Sequence, residues 1–129
     1  MGVQIEIVKT DEAAAAIGPY SQAIVVGEFV FSSGQLPVNP KTGEVITGNI
    51  TSQTEQVLKN IHAVLEAAGS NLESIVKTTC YLADMSDFAK FNEVYGKNIT
   101  GKPARSCVAV RQLPKNALIE IDVIALTAD

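Results

Sequence analysis

The sequence has few of the residues that metal sites and disulfide frameworks use. Among 129 residues there are two cysteines, one histidine and no tryptophan. Two cysteines and one histidine far apart in the chain do not have the spacing of zinc ligands. We therefore predict no metal site, and we expect Cys80 and Cys107 to be reduced thiols.

Basic charge and long apolar runs are also scarce. Lys and Arg number 10 against 14 Asp and Glu, so the formal net charge is −4. This balance offers no basic surface for a phosphate backbone. No stretch of about 20 apolar residues is present, as a membrane span requires, and the N-terminus lacks the pattern of a secretory signal. We expect a cytoplasmic protein whose partners include neither nucleic acid nor membrane.

Common nucleotide and nucleophile motifs are absent as well. The chain has no GxxxxGKS/T, no GxGxxG after a predicted strand and no GxSxG. These absences argue against a P-loop, a Rossmann cofactor site and a nucleophile elbow. A chain of 129 residues with 47% hydrophobic content and no linker-like segment is expected to form one domain over residues 1–129.

Several stretches have the pattern of β-strands. Alternating apolar residues from Val3 to Ile7 predict a half-buried strand, and AIVVGEFVFSSG predicts a hairpin that turns at Gly27. The unbroken stretch VKTTCYLA, residues 76–83, predicts a central strand. Near the C-terminus, SCVAV and LIEIDVIALT flank LPKN, which predicts that the last two strands pair with each other.

Two segments have helical periodicity. An apolar stripe predicts a helix over 52–68, with Ser52 and Glu55 as a capping box and Gly69 as its end. Ser86 is a candidate cap for a second, shorter helix. The resulting order β-β-β-α-β-α-β-β predicts an α+β fold with one sheet and two helices on one of its faces.

Two helices leave the other face of such a sheet uncovered. Both faces of the last predicted strand carry apolar side chains, and Glu120 and Asp122 share the second face with Leu118, Ile124 and Leu126. An apolar face of this size must be shielded from water by other protein surface. We therefore expect a homo-oligomer with clefts at the seams between subunits.

The candidate chemistry lies in the last two strands. Arg105 and Cys107 share one face of an extended segment, and Glu120 is flanked by isoleucines. Arg105 and Glu120 form either a structural ion pair or a pocket in which Arg105 binds a substrate carboxylate while Glu120 handles protons or water. Cys107 is either an activated thiol or, as we favour, a small buried side chain. His62 lies in the middle of a predicted helix and is not expected to act as a base.

Two turns carry further candidates. Tyr20 follows a Gly-Pro turn, where its ring either overhangs a cleft or packs at an edge. Gly34 ends the predicted hairpin beside Ser33, and it can expose backbone N–H and C=O groups there.

Seven segments in order along nearly the whole chain resemble the Rid family, the reactive intermediate deaminases also called YjgF-type proteins. They are GPYSQA at 18–23, SSGQLPVNPKTGEV at 32–45, EAAG at 66–69, DFAKFNEVY at 87–95, PARSCVAV at 103–110, LPK at 113–115 and IEID at 119–122. The resemblance is closest to the RidA subgroup.

The resemblance implies a chorismate-mutase-like α+β fold of the Bacillus type and a homotrimer with its sites between subunits. It implies hydrolysis of 2-imino or enamine acids, such as 2-iminopropanoate and 2-iminobutanoate, to 2-oxo acids and ammonia, with no cofactor. Two alternatives stay open. One is a module that binds small 2-oxo acids without turnover, and the other is the ribonuclease or translation-inhibitor activity ascribed to some relatives.

The resemblance also implies roles for individual residues. Arg105 matches the carboxylate-binding arginine and Glu120 the glutamate that handles water. The other matched pocket residues are Tyr20, Ser33, Gly34, Asn92 and Cys107.

The chain departs from the family between Tyr95 and Pro103, where it has only GKNITGK instead of a longer segment with aromatic residues. Gly96 and Gly101 in this segment predict that the second helix ends early. We expect the pocket wall or the subunit contact there to differ.

Overall fold

The computed structural model describes residues 2–128 and contains one six-stranded sheet and two α-helices. The strands are β1 (Ile5–Val8), β2 (Ala23–Val26), β3 (Phe29–Ser32), β4 (Ile75–Leu82), β5 (Ala104–Ala109) and β6 (Ile119–Leu126), and the helices are α1 (Ile50–Ala67) and α2 (Phe88–Asn98). The predicted order of elements and the α+β class are confirmed. No helix within residues 2–128 has the length and apolarity needed to cross a bilayer.

The strands lie in the order β1-β2-β3-β6-β4-β5. All neighbours are antiparallel except β4 and β5, which are parallel because α2 forms the crossover between them. The predicted pairing of the last two strands is wrong. The crossover places β5 at the sheet edge, and β6 instead enters between β3 and β4 and pairs with both.

The hydrophobic core lies between the helices and one face of the sheet. Alternate residues of β6 point into it, and Ile119, Ile121 and Val123 are at most 1% exposed. They meet fully buried side chains of both helices, among them Ile61 of α1 and Phe91 of α2. Burying each large apolar side chain stabilises the fold by about 1.5–3 kcal/mol. The alternation that fills the core therefore directs Glu120 to the opposite face.

The helix ends differ in part from expectation. The Asn49 side chain caps α1 by accepting a bond from the Ser52 backbone N–H at 3.1 Å, so the helix begins earlier than predicted and the expected capping box is wrong. Gly69, at φ +78°, follows the end of α1 as predicted. Asp84 rather than Ser86 caps the 3₁₀ turn that leads into α2.

The second helix does not end at its glycine. It continues through Gly96 to Asn98 and ends before Gly101, inside the short segment in which the sequence places its end. The cost of an internal glycine is about 1 kcal/mol. Burial of Phe91 and Tyr95 against the core outweighs that cost.

The second face of the sheet is apolar and exposed in the single chain. Ile5 and Ile7 of β1 are 67% and 72% exposed, and Phe29 and Phe31 of β3 are 44% and 42% exposed. These four side chains lie on the same face as Glu120, because the β1, β2, β3 and β6 registers place them in line with it. The apolar second face expected from the sequence is thus present.

Candidate functional site

The structure divides the predicted site residues between two faces of the sheet. Arg105 is paired with Thr78 in the β4–β5 register, and Thr78 is fully buried on the helix side. Glu120 is paired with Tyr81 on the opposite side. Because paired residues share a face, Arg105 and Glu120 of one chain point away from each other. An ion pair between them within the chain is therefore excluded.

The first group of site residues surrounds the Arg105 guanidinium, and we call it the arginine half-site: Arg105, Asn92, Cys107 and the rings of Phe88, Phe91 and Tyr95. The Arg105 Cζ lies 4.8 Å from the Tyr95 ring centroid, 5.5 Å from that of Phe88 and 6.0 Å from that of Phe91. Its Nη1 donates a 2.7 Å hydrogen bond to Asn92 Oδ1. The aromatic faces attract the cation and fix its plane.

The three rings are on α2 at positions i, i+3 and i+7, so they form one stripe that faces β5. Nothing in the sequence indicated that these rings lie under Arg105. Within residues 2–128 no carboxylate forms an ion pair with Arg105. The remaining guanidinium donors are therefore available to an anion from outside the chain.

Cys107 belongs to the arginine half-site and is half-buried. Burial raises the pKa of its thiol, and the nearby Arg105 charge only partly opposes that effect. The neighbouring Cys80 is fully buried, and burial raises the pKa of its thiol to about 12. Both cysteines are thus uncharged thiols at neutral pH, and Cys107 has the character of a pocket wall rather than a nucleophile.

The second group of site residues lies on the other face, and we call it the glutamate half-site: Tyr20, Ser33, Gly34 and Glu120. All four line a cavity of about 710 Å³. Gln35 exchanges backbone hydrogen bonds of 2.8 and 3.1 Å with Ile121, which places Gly34 directly against Glu120. A Cβ on Gly34 would come within 2.7 Å of the Glu120 Cδ and overlap the carboxyl group.

Tyr20 and Ser33 complete this half-site. Tyr20 is 53% exposed at the cavity wall, so its ring overhangs the cleft rather than packing at an edge. The Ser33 hydroxyl donates to the Ser21 carbonyl and is held in place by that bond. Lys115, which the sequence did not single out, also lines the cavity and donates a 3.1 Å bond from Nζ to the Gly43 carbonyl.

The Glu120 carboxyl has an unusual environment. Partial burial raises its pKa, and the negative charge of Asp122, two residues along the same strand face, raises it further. Burial also raises the pKa of Asp122, although a hydrogen bond from Tyr81 at 3.3 Å and the charge of Lys77 oppose this. A carboxyl whose pKa is closer to neutral both accepts and donates protons more readily.

This shift predicts a pH-dependent stability effect. The folded-state pKa of Glu120 lies above the usual 4.5, so the folded protein loses stability relative to the unfolded chain as pH rises from that value through the folded pKa. Glu120→Gln removes this titration. We expect the unfolding free energy of the variant to rise relative to that of the wild type as the pH increases above about 4.5, and urea titrations measure this difference.

Glu55→Gln, on the exposed face of α1, is the control for the loss of one negative charge. Parallel stability curves for wild type and Glu120→Gln would contradict the raised pKa.

Residues 10–127 match the family model described as Endoribonuclease L-PSP. A RutC family protein of Pyrococcus horikoshii is 55% identical over 121 residues, which cover 93% of this chain and 96% of that protein.

Solved structures are similar over their whole length. A conserved Rid family protein from Yersinia pestis is 45% identical with a TM-score of 0.93, covering 96% of this chain and all of that one. TdcF of E. coli, solved with bound serine, is 41% identical with a TM-score of 0.89, covering 95% of this chain and 99% of that one. The resemblance to Rid proteins is thus confirmed.

Proposed function

Because the chain belongs to the Endoribonuclease L-PSP family, with RutC and Rid proteins among its relatives, we propose that it hydrolyses reactive 2-imino acids such as 2-iminopropanoate and 2-iminobutanoate. One observation carries this proposal. Arg105 is held over three rings and by Asn92, yet no carboxylate within residues 2–128 neutralises it. An arginine held in this way is suited to bind a substrate carboxylate in bidentate fashion.

The proposal includes an assembly. The arginine and glutamate half-sites lie on opposite faces of one sheet, so one chain alone does not bring them to the same substrate. We propose a homotrimer in which the arginine half-site of each copy meets the glutamate half-site of the next. The exposed apolar face around Ile7 and Phe31 supports such an interface.

The chemistry follows from the two half-sites. Arg105 and Asn92 hold the substrate carboxylate and place the imine carbon in reach of a water. Glu120 of the partner subunit accepts a proton from that water while the water oxygen bonds to the carbon of the protonated imine. Glu120 then donates this proton to the nitrogen. The C–N bond breaks, the hydroxyl proton leaves with the ammonia as ammonium, and the 2-oxo acid remains with its new C=O bond.

The remaining pocket residues position the reactants. Tyr20 covers the cleft, Ser33 and Gly34 offer backbone groups beside the carboxyl, and Cys107 lines the wall near Arg105. The serine bound by TdcF of E. coli carries the same carboxylate next to an amine-bearing carbon, which supports a site for amino-acid-derived imines.

The proposal is tested by measuring the lifetime of an imine that is generated in the assay mixture. A serine dehydratase generates 2-iminopropanoate in the presence of semicarbazide, which traps the imine as an absorbing semicarbazone. Adding the protein should lower semicarbazone formation and raise free pyruvate. Saturable binding of 2-oxobutanoate without any change in the imine lifetime would indicate a binding module instead. RNA cleavage that survives further purification, with no imine effect, would favour the ribonuclease alternative.

Gly34 gives a sharp prediction within this proposal. Gly34→Ala should displace the Glu120 carboxyl, because the added Cβ would overlap it. General acid–base catalysis contributes about 10²–10⁴-fold in rate, so we expect kcat for 2-iminopropanoate to fall at least about tenfold.

Gly2→Ala, where a Cβ meets nothing within 4 Å, is the matched control. Circular dichroism and thermal unfolding establish that both variants fold. Full activity of folded Gly34→Ala would place the reacting water away from Glu120.

A further inference from the structure

A second cation lies in the cavity that contains Arg105. This cavity of about 540 Å³ sits where α2 ends and β5 begins, and Lys102, Thr100 and Asn92 line it with Arg105. No acidic side chain among residues 2–128 lines it. A pocket with two cations and no carboxylate is unusual for a chain with a net charge of −4, and it concentrates positive potential in one place.

The short segment after α2 places Lys102 in this position. Ile99 is 3% exposed and anchors the end of the helix in the core. The chain then turns through Thr100 and Gly101, and Lys102 adopts a left-handed φ of +53°. Glycine and asparagine suit that conformation better than lysine does. A lysine at a disfavoured backbone position beside a cavity is an outlier of the kind that clusters at functional sites.

Lys102 has no partner in the described chain. Within residues 2–128 its ammonium forms neither an ion pair nor a hydrogen bond. Lys77 and Lys115, by contrast, donate to Ser106 Oγ and to the Gly43 carbonyl. Lys102 is therefore free to bind an anion that enters the cavity, as Arg105 is.

We propose that this site takes 2-imino and 2-oxo diacids, whose side chain ends in a second carboxylate that Lys102 binds while Arg105 binds the first. This inference rests on the proposed function for the nature of the first group. The imines in question derive from amino acids, and the acidic side chains of amino acids end in carboxylates.

The test compares binding of a diacid and a monoacid product by calorimetry. Wild type should bind 2-oxoglutarate at least about tenfold more tightly than 2-oxobutanoate, because a charge-assisted hydrogen bond is worth about a factor of ten or more. Lys102→Asn, which tolerates the left-handed backbone, should remove most of this preference. Lys102→Arg should retain it.

Lys97→Asn is the charge-matched control. Lys97 is exposed in the last turn of α2 and does not line the cavity, so this variant should keep the wild-type preference. A preference that survives Lys102→Asn, or equal binding of the two acids by wild type, overturns the inference. So does a change in oligomeric mass on Lys102→Asn, since Lys102 would then bind the neighbouring copy rather than a ligand.

The two proposals fail in different ways. If the wild type accelerates the decay of no imine but binds 2-oxoglutarate preferentially through Lys102, the diacid site stands and the hydrolytic function falls. If it hydrolyses 2-iminopropanoate but shows no preference for the diacid, the diacid site falls alone.

Discussion

Arg105→Ala should lower kcat/KM for 2-iminopropanoate by at least about a hundredfold, because it removes two charge-assisted hydrogen bonds to the substrate carboxylate. In the semicarbazide competition assay, Arg105→Ala should therefore lower semicarbazone formation less than the wild type does. The fold should survive, since the lost contacts of the guanidinium with the rings are worth only about 0.5–1 kcal/mol at an exposed site. Thermal unfolding should therefore change little.

Two further variants sharpen this result. Arg111→Ala removes an exposed arginine that lies beyond the end of β5, and it should retain wild-type activity. Arg105→Lys keeps the charge but not the planar pair of donors, so its activity should fall between those of wild type and Arg105→Ala. Equal acceleration by wild type and Arg105→Ala would place the carboxylate site elsewhere.

Mixing two inactive variants should restore activity. In the proposed trimer each site takes Arg105 from one copy and Glu120 from the next. Arg105→Ala and Glu120→Gln, each inactive alone, should therefore regain about a quarter of wild-type activity when equal amounts form mixed trimers at random. Native mass spectrometry measures the mixing, and the imine assay measures the recovery.

The control mixture cannot form an intact site. Arg105→Ala mixed with the double variant Arg105→Ala/Glu120→Gln has no copy that supplies the arginine, so it should stay inactive. If the complementary mixture also stays inactive although mixed trimers are present, the two residues do not act in one shared site.

The order of elements was predictable because it depends on local patterns. The turn at Gly27 and the end of α1 at Gly69 follow from the left-handed conformations that glycine favours. The start of α1 was misplaced because Asn49 and Ser52 are comparable N-caps. Which of them caps the helix depends on how the preceding loop approaches it.

The architecture of the site was less predictable because it depends on long-range pairing. The sequence shows that Arg105 and Cys107 share a face, but not that β5 pairs with β4 rather than β6. The parallel register sets the face of Arg105, and the entry of β6 between β3 and β4 sets that of Glu120. Their opposite orientation is therefore a property of sheet topology, which no local spacing encodes.

In the proposed trimer, the position of the two half-sites on opposite faces would link catalysis to protein concentration. A substrate that contacts Arg105 of one copy and Glu120 of another binds only the assembled form, so it shifts the association equilibrium toward that form. Dilution acts in the reverse direction and should remove activity before it unfolds the chain. Substitutions on the apolar face, at Ile7 for instance, would then lower turnover without touching either half-site.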